Sequence, residues 1–343
     1  MNGSLTYGDW LLTPAWPPSR ALHLSDLRSA DIDESINQAV LTEAAGLFGS
    51  PLDPRRRKPT ALESRTGGTM IRAGLLLAFV FVQTEPPLAF EVASVDGVNI
   101  HWTSHGAGPQ TLILVHCWTC DETAWSAQVP SLSRRYRVIT LDLPGHGRSG
   151  TPAAFSIDLF VRAIEAVRGE AGAERVVLAG HGNGAVVVRR YALTHPERVA
   201  ALVVADGTLL LADNGIPPER TLRGASESTR REQAIRRVYF SETTPPDLQQ
   251  RILKMMLATP DAVAADTLIA IQHPSQWTNE PVRVPVLAVN CAKLRSDGWE
   301  RAIKLIYPLA EFHRIPDTGH FLMMEKPEAF NHLVEAFLAR VQF

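Results

Sequence analysis

Over most of the chain, apolar residues fall in short unbroken runs, separated by longer stretches in which they recur every three or four positions. The runs are "TLILVH" (111–116), "YRVITLDL" (136–143), "RVVLAG" (175–180), "VAALVVAD" (199–206), "VPVLAVN" (284–290) and "AEFHRIP" (310–316). Runs this short, rich in β-branched residues and apolar at successive rather than alternate positions, predict strands buried on both faces. The helical patterns between them predict βαβ crossovers. The expected fold class is therefore α/β, a doubly wound and mostly parallel sheet. "FEVASVDGVNIHWTSHG" (90–106) differs, because it alternates apolar and polar residues about Asp96 and Gly97. That pattern predicts a hairpin ahead of the parallel strands.

Between Asp206 and Val284 the chain is too long for one crossover. "SESTRREQAIRRVYF", "DLQQRILKMMLATP" and "DAVAADTLIAIQH" read as three helices, opened by Ser, Asp and Pro-Asp capping signals. An inserted helical cap is expected at about 213–280. It would lie over the carboxyl ends of the strands, where an open α/β sheet takes its ligand and where a cover excludes water. Met255, Met256 and Trp277 supply an apolar lining there, or pack as ordinary helix residues.

Ahead of residue 90 neither period holds. Residues 1–69 are Pro-rich and polar, include "DPRRRKP" (53–59), and are expected to be loosely ordered. The Arg cluster reads as a solvated linker rather than a basic address signal. Within this stretch "DIDESINQAVLTEAAGLFG" (31–49) predicts one short helix through Ile36, Val40, Leu41 and Leu47, ended by Gly49. "MIRAGLLLAFVFVQTEPPLAF" (70–90) has the layout of a secretory signal peptide when read from Met70: one arginine, an apolar run too short for a stable membrane span, and a Pro-containing polar tail. It reads equally well as a buried strand or helix lying against the domain that spans 90–343. The protein is expected to be secreted or periplasmic if Met70 is the true start, and cytoplasmic otherwise.

Charge and cysteine content narrow the partners. Among 343 residues, 34 Lys plus Arg stand against 36 Asp plus Glu, which excludes both a nucleic-acid footprint and a strongly acidic surface. The expected partner is a small, apolar molecule. Cys117, Cys120 and Cys291 make no disulfide framework, and no second Cys/His cluster at metal-ligand spacing accompanies Cys117 and Cys120. Neither a metal nor a cofactor is expected, and no pattern in the chain sets its oligomeric state.

Four segments, taken in order and spacing, resemble the α/β-hydrolase superfamily across Phe90 to Phe343: "VHCWTCDETAW" (115–125), "LDLPGHGRSG" (141–150), "GHGNGA" (180–185) and "PDTGHFLMMEKPEAFNHLVEAFL" (316–338). The likeness is greatest to small-molecule, esterase-like members whose triad acid follows the sixth strand. It implies that "LAGHGNGAVVVRRYA" (178–192) is a nucleophile elbow, the sharp strand-to-helix turn that carries an attacking serine. Gly182 stands at the serine position. Glycine adopts the elbow's strained backbone almost freely, so the fold should persist while the acyl-enzyme step is deleted.

The same resemblance implies roles for other residues. His320, in "PDTGHF" after the last predicted strand, is the expected general base, since an imidazole titrates near neutrality. Asp206, at the end of "VAALVVAD", is the expected acid that fixes its tautomer. Asp297 is the second choice, because "NCAK" (290–293) ends in lysine where many members carry an aspartate. The oxyanion hole is expected from the backbone N–H of Asn183 and that of Trp118 or Cys117. Cys117 replaces a glycine of the family pattern, which bears on the backbone path of that donor; its thiol is an alternative nucleophile, but nothing in the sequence sets it against His320, and it reads rather as inert buried packing. His146 and His181 read as turn and packing residues. The leading functional expectation is a hydrolase of small ester-like or acyl substrates whose acyl-enzyme chemistry is absent or weak. A His–Asp general-base enzyme of the cofactor-free dioxygenase or lyase type, and a non-catalytic ligand-binding pseudo-hydrolase, are the alternatives.

Overall fold

Eight strands build one sheet: β1 (Phe90–Val95), β2 (Val98–His105), β3 (Thr111–Val115), β4 (Arg137–Leu141), β5 (Val176–His181), β6 (Val199–Ala205), β7 (Val286–Cys291) and β8 (Ala310–Ile315). The structure is a computed structural model that describes residues 90–207, 228–273, 278–291 and 303–342. The predicted helix at 31–49, the Arg cluster, the apolar segment at 70–89, Trp277 and Asp297 lie outside the described residues.

The strand order is β1-β2-β4-β3-β5-β6-β7-β8. β1 pairs antiparallel with β2, and β2 antiparallel with β4; every later pairing is parallel. Asp96 and Gly97 turn the opening hairpin with φ of 50° and 78°. Two successive positive φ values match the twist of the flanking strands, which is why an Asp-Gly pair stands there. Every residue of β3, β5, β6 and β7 is buried. Within β3, Ile113 and Val115 enter one apolar cluster with Phe160, Val187 and Tyr191, whereas Leu112 and Leu114 enter another with Trp125, Phe330 and Phe337. Successive side chains point to opposite faces of a strand, so an unbroken apolar run fills two cores at once. β8 departs from this: as the outer strand of the sheet it is only half-buried, apart from Ile315.

Helices α1 (Ile157–Glu170) and α2 (Gly184–Thr194) contribute to the first cluster. The three cap helices follow β6 as α3 (Ser228–Tyr239), α4 (Pro246–Ala258) and α5 (Asp261–Gln272), and α6 (Pro327–Leu338) closes the second cluster. The expected side-chain capping is not found at α4 and α5, which begin after Pro245 and Pro260 with no side-chain cap hydrogen bond. Proline presets the entry backbone instead, and Asp247 and Asp261 sit in the first turns, where a negative charge meets the positive end of the helix dipole. The cap is tied to the strand ends by polar contacts. Trp118 Nε1 donates to Ala264 O at 2.8 Å, Thr259 Oγ1 to Thr119 O at 3.0 Å, and the His320 N–H to Tyr239 O at 2.8 Å. Among the described residues, no helix is long and apolar enough to cross a membrane.

Two glycines let α2 press against the sheet. A Cβ on Gly180 would lie 2.7 Å from the backbone of Gly184 and Ala185, and one on Gly184 would lie 2.5 Å from His116 O. Both obstacles are backbone, which cannot rotate away. Gly184→Ala should therefore cost about 1–3 kcal/mol, read as a lower urea midpoint with an unchanged m-value.

Candidate active site

β5 ends at His181 and α2 begins at Gly184, so the chain reverses direction within Gly182 and Asn183. Gly182 takes φ of 53°, the left-handed conformation in which a side chain costs energy. A Cβ at this position would meet His320 Nε2 at 2.7 Å and Cys117 Cβ at 3.0 Å. The place above Gly182 is therefore filled: the imidazole and the cysteine side chain close over the point where a side chain at 182 would begin.

His320 lies on the loop after β8. Its Nδ1 is 2.8 Å from Asp206 Oδ2. Asp206 directly follows β6, has φ of 41°, donates its backbone N–H to Val289 O at 2.7 Å, and accepts the Cys291 N–H on Oδ1 at 3.1 Å. Both carboxylate oxygens are thus engaged, and the neighbouring strand β7 fixes the rotamer. The His320 ring stacks on Tyr239 of α3, with centroids 4.6 Å apart. The His181 ring is also close, with centroids 4.5 Å apart. His181 is joined to the same loop through a 3.0 Å hydrogen bond from Nε2 to His320 O.

Cys117 completes the group. It is buried, its Sγ accepts from the Cys120 thiol at 3.4 Å, and its own S–H donates to Trp118 O at 3.4 Å. Burial alone would raise the Cys117 thiol, but the Cys120 hydrogen bond and the adjacent imidazoles of His181 and His320 outweigh it and hold the group well below its ordinary range. For His320, burial pulls downward, and the hydrogen bonds and charges of Asp206 and Cys117 overcome it, lifting the imidazole to about 9. Cys120 moves the opposite way, pushed well up by burial and by the charge of Cys117. The arrangement favours a negative sulfur beside a positive ring, oriented by a carboxylate. Ligand atoms of Cys117, His181 and His320 lie within 4.8 Å of one another, so these three are also the side chains best placed to hold a soft or borderline metal cation. His101, Glu122 and Asp142 form a second such group. It serves the loop instead: Asp142 accepts the N–H of Glu122 and of Arg148, and Glu122 accepts from Thr140 and Arg148.

Asn183, Trp118 and Cys117 border one small cavity of about 10 Å³, room for about a single water, whose apolar walls include Leu143, Phe160 and Ile271. The positive φ in the loop after β3 falls on Thr119, at 57°, and not on Cys117. A side chain at 117 is therefore compatible with the loop. His146 is buried, bonded through Nδ1 to Pro144 O, and held neutral, with burial and His116 bringing it down to about 3. Linear spacing gave no sign of the Cys117–His181–His320 grouping, because its members come from the ends of three different strands.

Comparison with known proteins shows the family. Residues 112–333, more than half of the chain, match the model of the alpha/beta hydrolase family. The chain belongs to that family. It is 27% identical over 264 residues to a 2-hydroxy-6-oxononadienedioate/2-hydroxy-6-oxononatrienedioate hydrolase of Paraburkholderia phymatum, covering 71% of this chain and 92% of that protein. It is 35% identical over 104 residues to a pimeloyl-[acyl-carrier protein] methyl ester esterase of Edwardsiella ictaluri, covering 30% of this chain and 39% of the relative. Among solved structures, the enol-lactonase from Burkholderia xenovorans LB400 superposes with a TM-score of 0.65 at 20% identity, over 73% of this chain and all (100%) of that one, a likeness of fold.

Two outcomes follow from the packing of the ring. Gly182→Ser should lower stability by roughly 1–3 kcal/mol and displace His320, because a Cβ enters occupied space at a left-handed φ; urea unfolding and the His320 ring resonances read both effects. Asp206→Asn should bring the His320 pKa down from about 9, as followed by NMR titration of the ring. A raised imidazole stabilises the folded state fully below its unfolded pKa, and that contribution is lost as pH rises through about 9. The Cys117 thiol, held well below its ordinary range, contributes in the opposite sense over the same interval, so stability in the parent should change little between neutral pH and pH of about 9, as read by urea unfolding.

Proposed function

We propose that the protein hydrolyses small, apolar ester-like or acyl substrates, with His320 moving the proton and Asp206 orienting the ring. The observation that carries this reading is the 2.8 Å Asp206–His320 contact, set so that Nε2 of the same ring faces the elbow. A carboxylate on Nδ1 selects the tautomer whose Nε2 exchanges protons with a reacting group. Backbone N–H groups of Trp118 and Asn183 supply the donors for a developing oxyanion. The cavity beside them, of about 10 Å³, is walled by Leu143, Phe160, Val187 and Ile271; it has to widen for any acyl chain, and its apolar walls favour an uncharged one that needs little widening. The relatives named for hydrolysis of oxo-dienedioates and of a methyl ester support attack at a carbonyl carbon.

The absence of an attacking atom at Gly182 favours a second reading, in which the His320–Asp206 pair abstracts a proton from an acidic substrate as in lyase or cofactor-free dioxygenase chemistry. Ester hydrolysis separates the two. With p-nitrophenyl acetate and butyrate the parent should turn over, and His320→Ala should lower kcat/KM by about 10²–10⁴. Turnover that survives His320→Ala would remove the base from the mechanism, and silence of the parent toward every ester would leave the proton-abstraction reading or a pseudo-hydrolase.

A further inference from the structure

We propose that Cys117 supplies the attacking atom that Gly182 lacks, forming with His320 and Asp206 a Cys–His–Asp relay in which the nucleophile has moved from the elbow to the oxyanion loop. The inference rests on the hydrolytic reading and names the group that performs it.

Position is the first argument. A side chain at the elbow would begin 3.0 Å from Cys117 Cβ and 2.7 Å from His320 Nε2, so the cysteine flanks the space in which an elbow nucleophile works. Its sulfur lies within 4.8 Å of ring nitrogens of both His320 and His181. A serine at 182 and the present places of Cys117 and His320 exclude one another. Loss of the serine side chain is thus what lets the imidazole reach the thiol.

Activation is the second. A thiol reacts as its thiolate, and three features of the surroundings favour that form. Cys120 donates its S–H to Cys117 Sγ at 3.4 Å, His320 stands beside the sulfur, and Asp206 stabilises the ring that holds the proton. Cys120 acts through Cys117 and is a positioning residue. Access is the third: Cys117, Trp118 and Asn183 line the same cavity, which at about 10 Å³ must widen to admit a substrate, and a carbonyl admitted there lies among all three residues.

The chemistry balances. The Cys117 thiolate attacks the acyl carbonyl carbon, a C–S bond forms, and the carbonyl π pair moves onto the oxygen. Collapse breaks the ester C–O bond, and the departing alkoxide takes the proton from His320. The neutral imidazole then removes a proton from water, whose oxygen attacks the thioester. The C–S bond breaks, the acid leaves, and the thiolate and protonated ring are restored. Ester plus water has become acid plus alcohol, with no oxidant or metal consumed.

The test joins trapping to reactivity in the full chain. Acid quenching during turnover of p-nitrophenyl acetate, followed by intact-mass and peptide analysis, should find one acetyl group on Cys117. Cys117→Ala should lose both the label and turnover by at least about 100-fold. Cys117→Ser, nearly isosteric, should fold as the parent does and remain equally slow. Iodoacetamide at neutral pH should alkylate Cys117 at least roughly tenfold faster than Cys120 or Cys291, and His320→Ala should remove that advantage. Full turnover in Cys117→Ala with loss in His320→Ala would overturn the inference and leave the hydrolytic reading standing, with water as the attacker. Label on Cys120 or Cys291, or turnover abolished by a chelator, would overturn it as well. If no ester is turned over, the alkylation arm decides alone, and a Cys117 no more reactive than the other two thiols sinks the relay.

Discussion

The left-handed turn at Gly182 is the constraint on which the rest of the site depends. At φ of 53° the chain leaves β5 and enters α2 within two residues, and only residues lacking a Cβ at 180 and 184 let the helix approach the ends of β3 and β5 so closely. That approach sets where Asn183 lies relative to Trp118. It also leaves above the turn a volume bounded by two other strand ends, from which Asp206 and the loop bearing His320 emerge. In a serine hydrolase this strained backbone carries the nucleophile; here the strain is relieved by glycine and the geometry is kept.

What the relief of strain releases is space, and the surroundings have taken it. The His320 ring is pinned by Asp206 on one side, stacked by Tyr239 from the cap, and joined through its backbone N–H to Tyr239 O. These contacts fix the imidazole nearer the elbow than a serine would permit. Cys117 borders the same volume. The surroundings favour a thiolate beside an imidazolium, because the Cys120 thiol donates to the sulfur and the Asp206 carboxylate lies against the ring Nδ1. Cys117, His320 and Asp206 thus form one contiguous unit.

The cap takes part in that unit rather than only covering it. Tyr239 at the end of α3 stacks on His320, Thr259 before α5 holds Thr119, and Ala264 within α5 accepts from the Trp118 indole. The oxyanion loop and the histidine loop are therefore both tied to the inserted helices. Entry of a substrate into the cavity beside Trp118 has to work against these contacts, which links cap position to the state of the site.

How much of this was legible in the sequence follows from which interactions are local. Unbroken apolar runs predicted the parallel strands, since a strand buried on both faces needs an apolar side chain at every position, and the Asp-Gly turn, the elbow glycines and the three cap helices are likewise set by neighbours in the chain. The half-burial of β8 was not legible, because an edge position is decided by which strands lie beside it. Nor was the start of α4 and α5, where proline entry replaced side-chain capping. At the site, His320, Asp206 and Gly182 could be named from motif and order. The meeting of Cys117 with His181 and His320 could not, since these residues lie 64 and 203 positions beyond it in the chain and share no spacing rule. Sequence alone determined the fold and the glycine that turns the chain after β5, because both are written in local backbone and packing preferences. Only the tertiary structure decided what fills the vacated space, because that depends on strand ends which nothing but the closed sheet brings together.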